Sequence, residues 1–312
     1  MPSPLPSVAH GLAPARPAPP VELHPLPGCP LCDADDPAPL FLGHDHQFGF
    51  AGEFPVVRCR ACGLVYNAPR LAPAALDAYF PADYAAHAPD YGRNRRATPR
   101  SRDPWDAVAP FGQRRLLDLG CGAGAYLERM ARAGWTALGI DPVAAAVDAC
   151  RARGLNARRG AIPGVDLADQ RFELITLLGA LGALPEPRAT LATLRRHVTS
   201  DGLLILNAFN SAGWFARLAG PLWIGYDLPR QCCHYSPTTL AALLDRTGWR
   251  VERLAFRRRP NIGRRTARLA ALATGRLGWR VLAAQRWATG LVSTVARFAG
   301  QSDDLVVVAR PA

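Results

Sequence analysis

At 312 residues the chain has room for one large α/β domain and a small accessory module. Its apolar share is ordinary for a soluble protein, and no apolar run reaches the length of a transmembrane helix. All 37 basic residues are Arg, and the net charge of +12 is uneven: residues 257–300 hold ten Arg and no acid, leaving the rest nearly neutral, unlike a uniformly basic nucleic-acid binder.

In chain order, residues 1–27 come first as a Pro-rich leader expected to be disordered, with nine Pro between positions 2 and 27. No basic n-region or apolar h-region marks a signal peptide, so a cytoplasmic location is expected. Eight Cys in that setting call for metal before disulfides. Four of them form Cys29-x-x-Cys32 and Cys59-x-x-Cys62, separated by 26 residues that suit a hairpin arm. Two such knuckles supply four thiolates for tetrahedral zinc, and Pro30 and Gly63 suit their turns. Four thiolates complete a site, so the zinc is read as structural and His44 and His46 as surface residues. A helix is expected over Leu71–Tyr84, its Tyr79, Phe80 and Tyr84 packing against the main domain and Pro81 disturbing its last turn. Residues 85–112 lack periodicity and read as a linker or flap.

From residue 113 onwards strands and helices alternate. The first strand is Arg115–Leu119, followed by a helix from about Ala125 to Ala133. The second strand is Thr136–Ile140, and Pro142 opens the next helix, where its missing N–H does no harm. Residues 156–158 suit a short third strand and Phe172–Leu178 a buried central fourth. Helix Arg188–His197 and a turn at Ser200-Asp201-Gly202 lead to strand five, Leu203–Ala208. A helix capped by Ser236-Pro237 ends near Gly248; Trp249–Phe256 and Leu305–Arg310 are the last strands.

The chemistry sits where the first strand runs into Asp118-Leu119-Gly120-Cys121-Gly122-Ala123-Gly124. The glycines permit a sharp turn and a close ligand. Asp118 would repel a pyrophosphate, and the third glycine of G-x-G-x-x-G is missing, so a dinucleotide is disfavoured. Asp141, ending strand two, stands where such folds accept hydrogen bonds from ribose hydroxyls. A carboxylate pair of this kind suits a cationic nucleoside without phosphates, S-adenosylmethionine.

This segment resembles the first motif of class I S-adenosylmethionine-dependent methyltransferases, with Gly139-Ile140-Asp141-Pro142 as the second. The resemblance covers most of residues 29–256 plus 302–310. It implies a Rossmann-like seven-stranded sheet with an antiparallel last strand. It also implies a cofactor site of Asp118, Gly120, Cys121, Gly122, Gly124, Asp141, Pro142 and Leu178. Cys59–Arg70 (CRACGLVYNAPR) resembles the zinc ribbon found ahead of many bacterial members, with Cys29, Cys32, Cys59 and Cys62 as ligands.

Many relatives carry a Glu-His pair after strand four. Here Leu178–Leu184 has no titratable side chain, so a base at that place is not expected. The loop after strand five is richer, with Asn207, Asn210, Trp214, Trp223, Tyr226, Asp227, Arg230 and His234. His234 is the candidate general base, its alternative being a His that orders the helix start; Cys232 and Cys233 read as buried packing. Methyl transfer needs little acid–base help, since alignment of nucleophile, methyl and leaving sulfur supplies much of the rate.

Residues 257–300 read as an Arg-rich helical insertion broken at Gly275, Gly278 and Gly290. It either packs with a solvated Arg face, lies on an anionic membrane as a peripheral contact, or covers an acidic or lipid-linked substrate. The expected activity is methyl transfer by in-line displacement to a small-molecule, sugar or lipid-linked acceptor. An RNA methyltransferase and a non-catalytic cofactor-binding scaffold are the alternatives; the absence of an RNA-binding module argues against nucleic acid.

Overall fold

The computed structural model describes residues 15–19, 22–81, 84 and 114–312. The first part of the leader and the linker or flap at 85–112 lie outside them. The N-terminal part carries β1 (Leu23–His24), β2 (Pro37–Gly43), β3 (Phe54–Cys59), β4 (Val65–Asn67) and β5 (Arg70–Leu71). β2 and β3 form the hairpin between the two knuckles, with Gly43 opposite Phe54.

Two expectations about this part are corrected. Residues 15–19 and 22–27 are not a free leader: β1 pairs with β5, and Arg16 is threaded into the hairpin tip. The Arg16 N–H donates to Gly49 O at 2.7 Å, and the Ala51 N–H donates to Arg16 O at 2.9 Å. Backbone pairing, which composition does not report, holds the Pro-rich strip. The helix expected over 71–84 is a 3-10 stretch, Pro73–Tyr79, that stops at Phe80 with φ −99° and ψ 100°. Pro81 excludes the helical region for the residue before it. Tyr79 then packs its ring on Phe50 and Phe54 of the hairpin, with ring centroids 5.3 and 5.8 Å away.

The larger part runs β6 (Arg115–Leu119), α1 (Ala125–Arg132), β7 (Thr136–Asp141), α2 (Ala144–Arg151), β8 (Ala157–Arg159), β9 (Phe172–Leu178), α3 (Pro187–His197), β10 (Val198–Phe209), α4 (Trp214–Ala219), β11 (Cys233–His234), α5 (Pro237–Arg246) and β12 (Trp249–Arg257). Three helices follow, α6 (Pro260–Thr274), α7 (Leu277–Ala284) and α8 (Arg286–Phe298), and β13 (Asp304–Pro311) closes the chain. The seven-stranded sheet has the order β12-β13-β10-β9-β6-β7-β8. Its strands β8, β7, β6, β9 and β10 are mutually parallel, and β13 is antiparallel to both neighbours.

Strands of continuous apolar sequence fill both faces, as a covered parallel sheet requires. Leu117, Ile175, Leu177, Leu204 and Leu206 pack into one buried cluster, and Leu116, Leu174, Ile205 and Val306 into another with Met130 and Trp135. α5 starts as expected, with Ser236 and Thr239 in a reciprocal capping box. The turn expected at Ser200-Asp201-Gly202 is instead part of β10, where the register against β9 shifts between Val198 and Leu203. A bulge absorbs these residues without ending the strand.

A second sheet joins the two parts. Its order is β11-β4-β3-β2, so the hairpin module takes its last strand from residues 233–234 of the larger part. Cys233 lies opposite Tyr66 and His234 opposite Val65. Of the helix breaks expected in the Arg-rich segment, only Gly275 ends a helix, in the left-handed region at φ 65°. Gly278 and Gly290 lie within α7 and α8, and the second break falls at Gln285.

Candidate active site

The glycine turn follows β6 at the carboxyl edge of the sheet, where open α/β folds bind ligands. Gly120, Gly122 and Gly124 have φ of 75°, 52° and 79°, so each needs glycine. The Gly120 position is also crowded: a Cβ there would lie 2.5 Å from Ala180 Cβ.

The turn is bound to the end of β7 through its own N–H groups. Gly120 N–H donates to Ile140 O at 2.8 Å, Cys121 N–H to the same oxygen at 3.3 Å, and Gly124 N–H to Cys121 O at 3.0 Å. Gly122 N–H donates to Asp141 Oδ2 at 2.9 Å. A phosphate-binding loop turns such groups outwards to meet the anion. Here they face inwards, which matches a cofactor without phosphates. The Cys121 side chain points into the core: a Cβ at Gly139 would come within 2.7 Å of its Sγ. Of the expected cofactor residues, Cys121 therefore offers backbone alone.

Two carboxylates flank the turn. Asp141, at the end of β7, is buried; its Oδ1 accepts the Val143 N–H at 2.9 Å while Oδ2 holds Gly122. Asp118, inside β6, is buried too and accepts the Thr176 hydroxyl at 2.6 Å. Burial pushes its carboxyl up to about 7, against the lowering by Thr176 and with a further rise from the Asp141 charge. Thr176, in the middle of β9, was not singled out from sequence; the single hydroxyl within the apolar stretch Leu174–Leu178 is the signal that could have found it. Pro142 directly follows Asp141, and half-buried Leu178 ends β9 two residues before Ala180, which approaches Gly120.

The loop after β9 carries no base, as its sequence implied, and is covered by the segment before α5. The Cys232 N–H donates to Gly182 O at 2.6 Å, and Asn67 of β4 grips the same segment through its N–H to Cys232 O at 3.0 Å and its Nδ2 to Gln231 O at 2.9 Å. Cys232 and Cys233 are buried packing residues, their thiols pushed up by burial to about 11 and 12.

His234 departs from the role expected of it. It is buried, with Nε2 3.0 Å from Asn67 Oδ1 and its ring edge-on to Tyr226 at 4.9 Å. Burial pushes its pKa down to about 3, so it stays neutral and a weak proton acceptor. Its position in β11, between the two parts of the chain, makes it a strut rather than a base. The surface location expected for His44 and His46 is also corrected: His44 is half-buried with Nδ1 3.1 Å from Gly52 O, and His46 is buried.

Arg230 stands out in the same segment. It is 1% exposed and donates to both oxygens of Asp45 at 2.8 and 2.6 Å, to Asp227 Oδ1 at 2.9 and 2.8 Å, and to Tyr79 O and Leu228 O, each at 3.1 Å. Its guanidinium also stacks over Phe48 at 4.7 Å. Asp45 lies at the hairpin tip, so this pair clamps the N-terminal module to the segment that follows β10. Asn207 and Asn210 are structural as well, donating to Asp304 Oδ1 at 3.0 Å and Ser302 O at 2.8 Å.

The four knuckle cysteines converge. Their Sγ atoms all lie within 4.8 Å of one another, the closest pairs being Cys29–Cys62 and Cys32–Cys59, each at 3.5 Å. Tetrahedral zinc with Zn–S near 2.3 Å needs sulfurs about 3.8 Å apart, so the donor set fits that ion. Both knuckles end in a left-handed residue, Asp33 at φ 62° and Gly63 at φ 79°.

A Rossmann-like sheet with this strand order and this glycine turn defines a class I S-adenosylmethionine-dependent methyltransferase. Residues 84–254, more than half of the chain, match the family described as methyltransferase domain, and the chain belongs to that family. Among curated relatives, the ubiquinone biosynthesis O-methyltransferase of Methylococcus capsulatus is 32% identical over 126 residues, 38% of this chain and 53% of that protein. The protein of the same name from Xanthomonas oryzae pv. oryzae is 32% identical over 143 residues, 42% of this chain and 60% of its own length. The chain thus spans little more than half the length of these relatives. A chain in the complex of the Haloferax volcanii Trm112 methyltransferase activator with a methyltransferase shares the fold, at a TM-score of 0.51 and 17% identity over 76% of this chain and 97% of that one.

Proposed function

We propose that this S-adenosylmethionine-dependent methyltransferase acts on a small-molecule acceptor, at an oxygen nucleophile. The names of the curated relatives, both O-methyltransferases, carry this reading. The cofactor supplies an already activated methyl group, so the chain's task is to bind, align and exclude water. In this reading Asp141 accepts the ribose hydroxyls, Asp118 faces the methionine ammonium group, and Gly120, Gly122 and Gly124 admit the methionine portion. Pro142 and Leu178 border the nucleoside. Incubation with radiolabelled S-adenosylmethionine and fractionated cell extract tests the acceptor. Label is expected in the small-molecule or lipid-soluble fraction; label in RNA or protein refutes the assignment.

The Asp118 role has a pH signature. Its carboxyl is neutral below about 7 and ionised above. An ammonium group beside it favours the ionised form, so affinity for S-adenosylhomocysteine, which keeps that group, should rise about tenfold between pH 6 and 8. In the ligand-free protein the sign reverses: stability falls as pH climbs from the ordinary carboxylate value towards 7, because the unfolded chain loses the proton first. Calorimetric titration at several pH values checks the first effect. Asp118→Asn should bind more weakly and without the slope; an unchanged slope would assign it to another group.

We further propose that Cys29, Cys32, Cys59 and Cys62 hold a structural zinc ion. Metal analysis should find about one zinc per chain, and a closed four-thiolate site leaves no position for catalysis. Cys59→Ser should lose the metal and lower the melting temperature. Full stability in a metal-free preparation of the unmodified chain would refute the site.

A further inference from the structure

The helices α6–α8 carry large apolar side chains that face solvent. All eight exposed large hydrophobic residues among the described residues lie between Leu218 and Phe298, seven of them in 272–298. α8 shows the inversion most clearly. Its buried face is made of Ala288, Thr289, Ser293 and Ala296, small residues that let it lie close to the domain. Trp287, Leu291, Val295 and Phe298 recur at helical spacing on the opposite face, exposed by 69, 58, 46 and 82%. A helix held only by the core would bury those four and expose the small ones. α7 has no buried residue at all, and Leu277 stands 73% exposed.

Charge selects the occupant. Residues 257–300 carry ten Arg and no acid. Arg257 and Arg259 are committed to buried Asp304, at 2.5 and 3.1 Å. Arg268, Arg276, Arg280, Arg286 and Arg297 are exposed around the apolar strip. A second copy of this surface would set arginine against arginine, and a nucleic acid could stack bases on Trp287 and Phe298 but offers nothing to cover the aliphatic Leu277, Leu291 and Val295. An anionic bilayer satisfies both halves, its headgroups meeting the guanidinium groups and its acyl boundary the apolar strip.

We infer that α7 and α8 form a docking face for an anionic membrane surface. The face is mounted on the segment that follows β10. Thr266 Oγ1 of α6 accepts the Ile224 N–H at 3.3 Å, and Gly263 seats α6 so closely on Phe215 that a Cβ would fall 2.6 Å from the ring. No helix among the described residues is long and apolar enough to cross a membrane, so the contact is peripheral. It does not depend on the acceptor reading, because vesicle binding needs no substrate.

The full-length chain is sedimented with vesicles of phosphatidylcholine containing about 30 mol % phosphatidylglycerol, and with pure phosphatidylcholine vesicles. The expected result is partitioning onto the anionic vesicles at least about tenfold above the neutral ones, lost about tenfold in Trp287→Ser/Phe298→Ser with an unchanged melting temperature. Arg276→Gln/Arg280→Gln should lose binding at moderate salt. The tryptophan emission of the native chain should shift to the blue on anionic vesicles, and less so in Trp287→Phe. Equal retention by both vesicle types, vesicle binding that ignores the apolar substitutions, binding of RNA without vesicle binding, or a dimer abolished by Trp287→Ser/Phe298→Ser would each overturn the inference.

Discussion

Asp141→Ala is expected to weaken S-adenosylhomocysteine binding by about 100-fold or more and to abolish methyl transfer at ordinary cofactor concentrations. The reason is the double use of one carboxylate. In the proposed site it accepts the ribose hydroxyls, and hydrogen bonds to a charged group contribute about 1.5–3 kcal/mol each. It also holds the Gly122 and Val143 N–H groups at 2.9 Å each, so its loss frees the glycine turn as well as the ligand. Asp141→Asn separates the two roles, since an amide keeps one acceptor but presents N–H groups to a backbone N–H. It should fall between the native chain and the alanine variant in affinity. Calorimetric titration and thermal melting together read the result. If Asp141→Ala lowers the melting temperature yet binds S-adenosylhomocysteine normally, Asp141 is a loop clamp and the ribose assignment is wrong.

Arg230→Ala is expected to cost about 3–5 kcal/mol of stability, because it leaves Asp45 as an uncompensated buried charge. That corresponds to a fall in melting temperature of about 10 °C for a protein of this size. Asp45 has no exposed side-chain surface and Arg230 only 1%, so water cannot replace the lost partner. Arg230→Lys should recover only part of the loss, since an ammonium group cannot reproduce the two-pronged contact to both Asp45 oxygens. The pair joins the hairpin tip to the segment before β11, so its loss should also expose the 44–50 region to proteolysis. The joint variant Asp45→Asn/Arg230→Met, which leaves no buried charge of this pair, should be more stable than Arg230→Ala alone. A melting temperature unchanged in Arg230→Ala would show that the module is held elsewhere, through the β4–β11 pairing.

Much of the larger part could be read directly from the chain because its signals are local. The strands Arg115–Leu119 and Phe172–Leu178 are dominated by apolar residues, and both have the bounds expected of them. The Ser236-Pro237 cap works through residues three positions apart. The glycine turn was legible for the same reason, since positive φ must be met by glycine at the position itself. Even so, its sequence did not say where its N–H groups point.

The misreadings share a different physical origin. His234 has the side chain of a base, but burial keeps it neutral, and the Asn67 side chain that it meets lies more than 160 positions away. Arg230 appeared among several polar residues of one loop, and its importance comes from Asp45 at a separation of 185 residues. Residues 15–19 and 22–27 of the Pro-rich strip are held through backbone pairing, which composition does not encode. The Arg-rich segment was legible as helical, yet the sequence did not say which face of α8 would turn outwards. Sequence by itself determined the methyl donor's turn and the parallel sheet that carries it, since both follow from conformational preference and apolar runs. Only the tertiary structure decided which polar residues are buried together, and that the apolar strip of α8 faces solvent, because desolvation and ion pairing depend on neighbours distant in sequence.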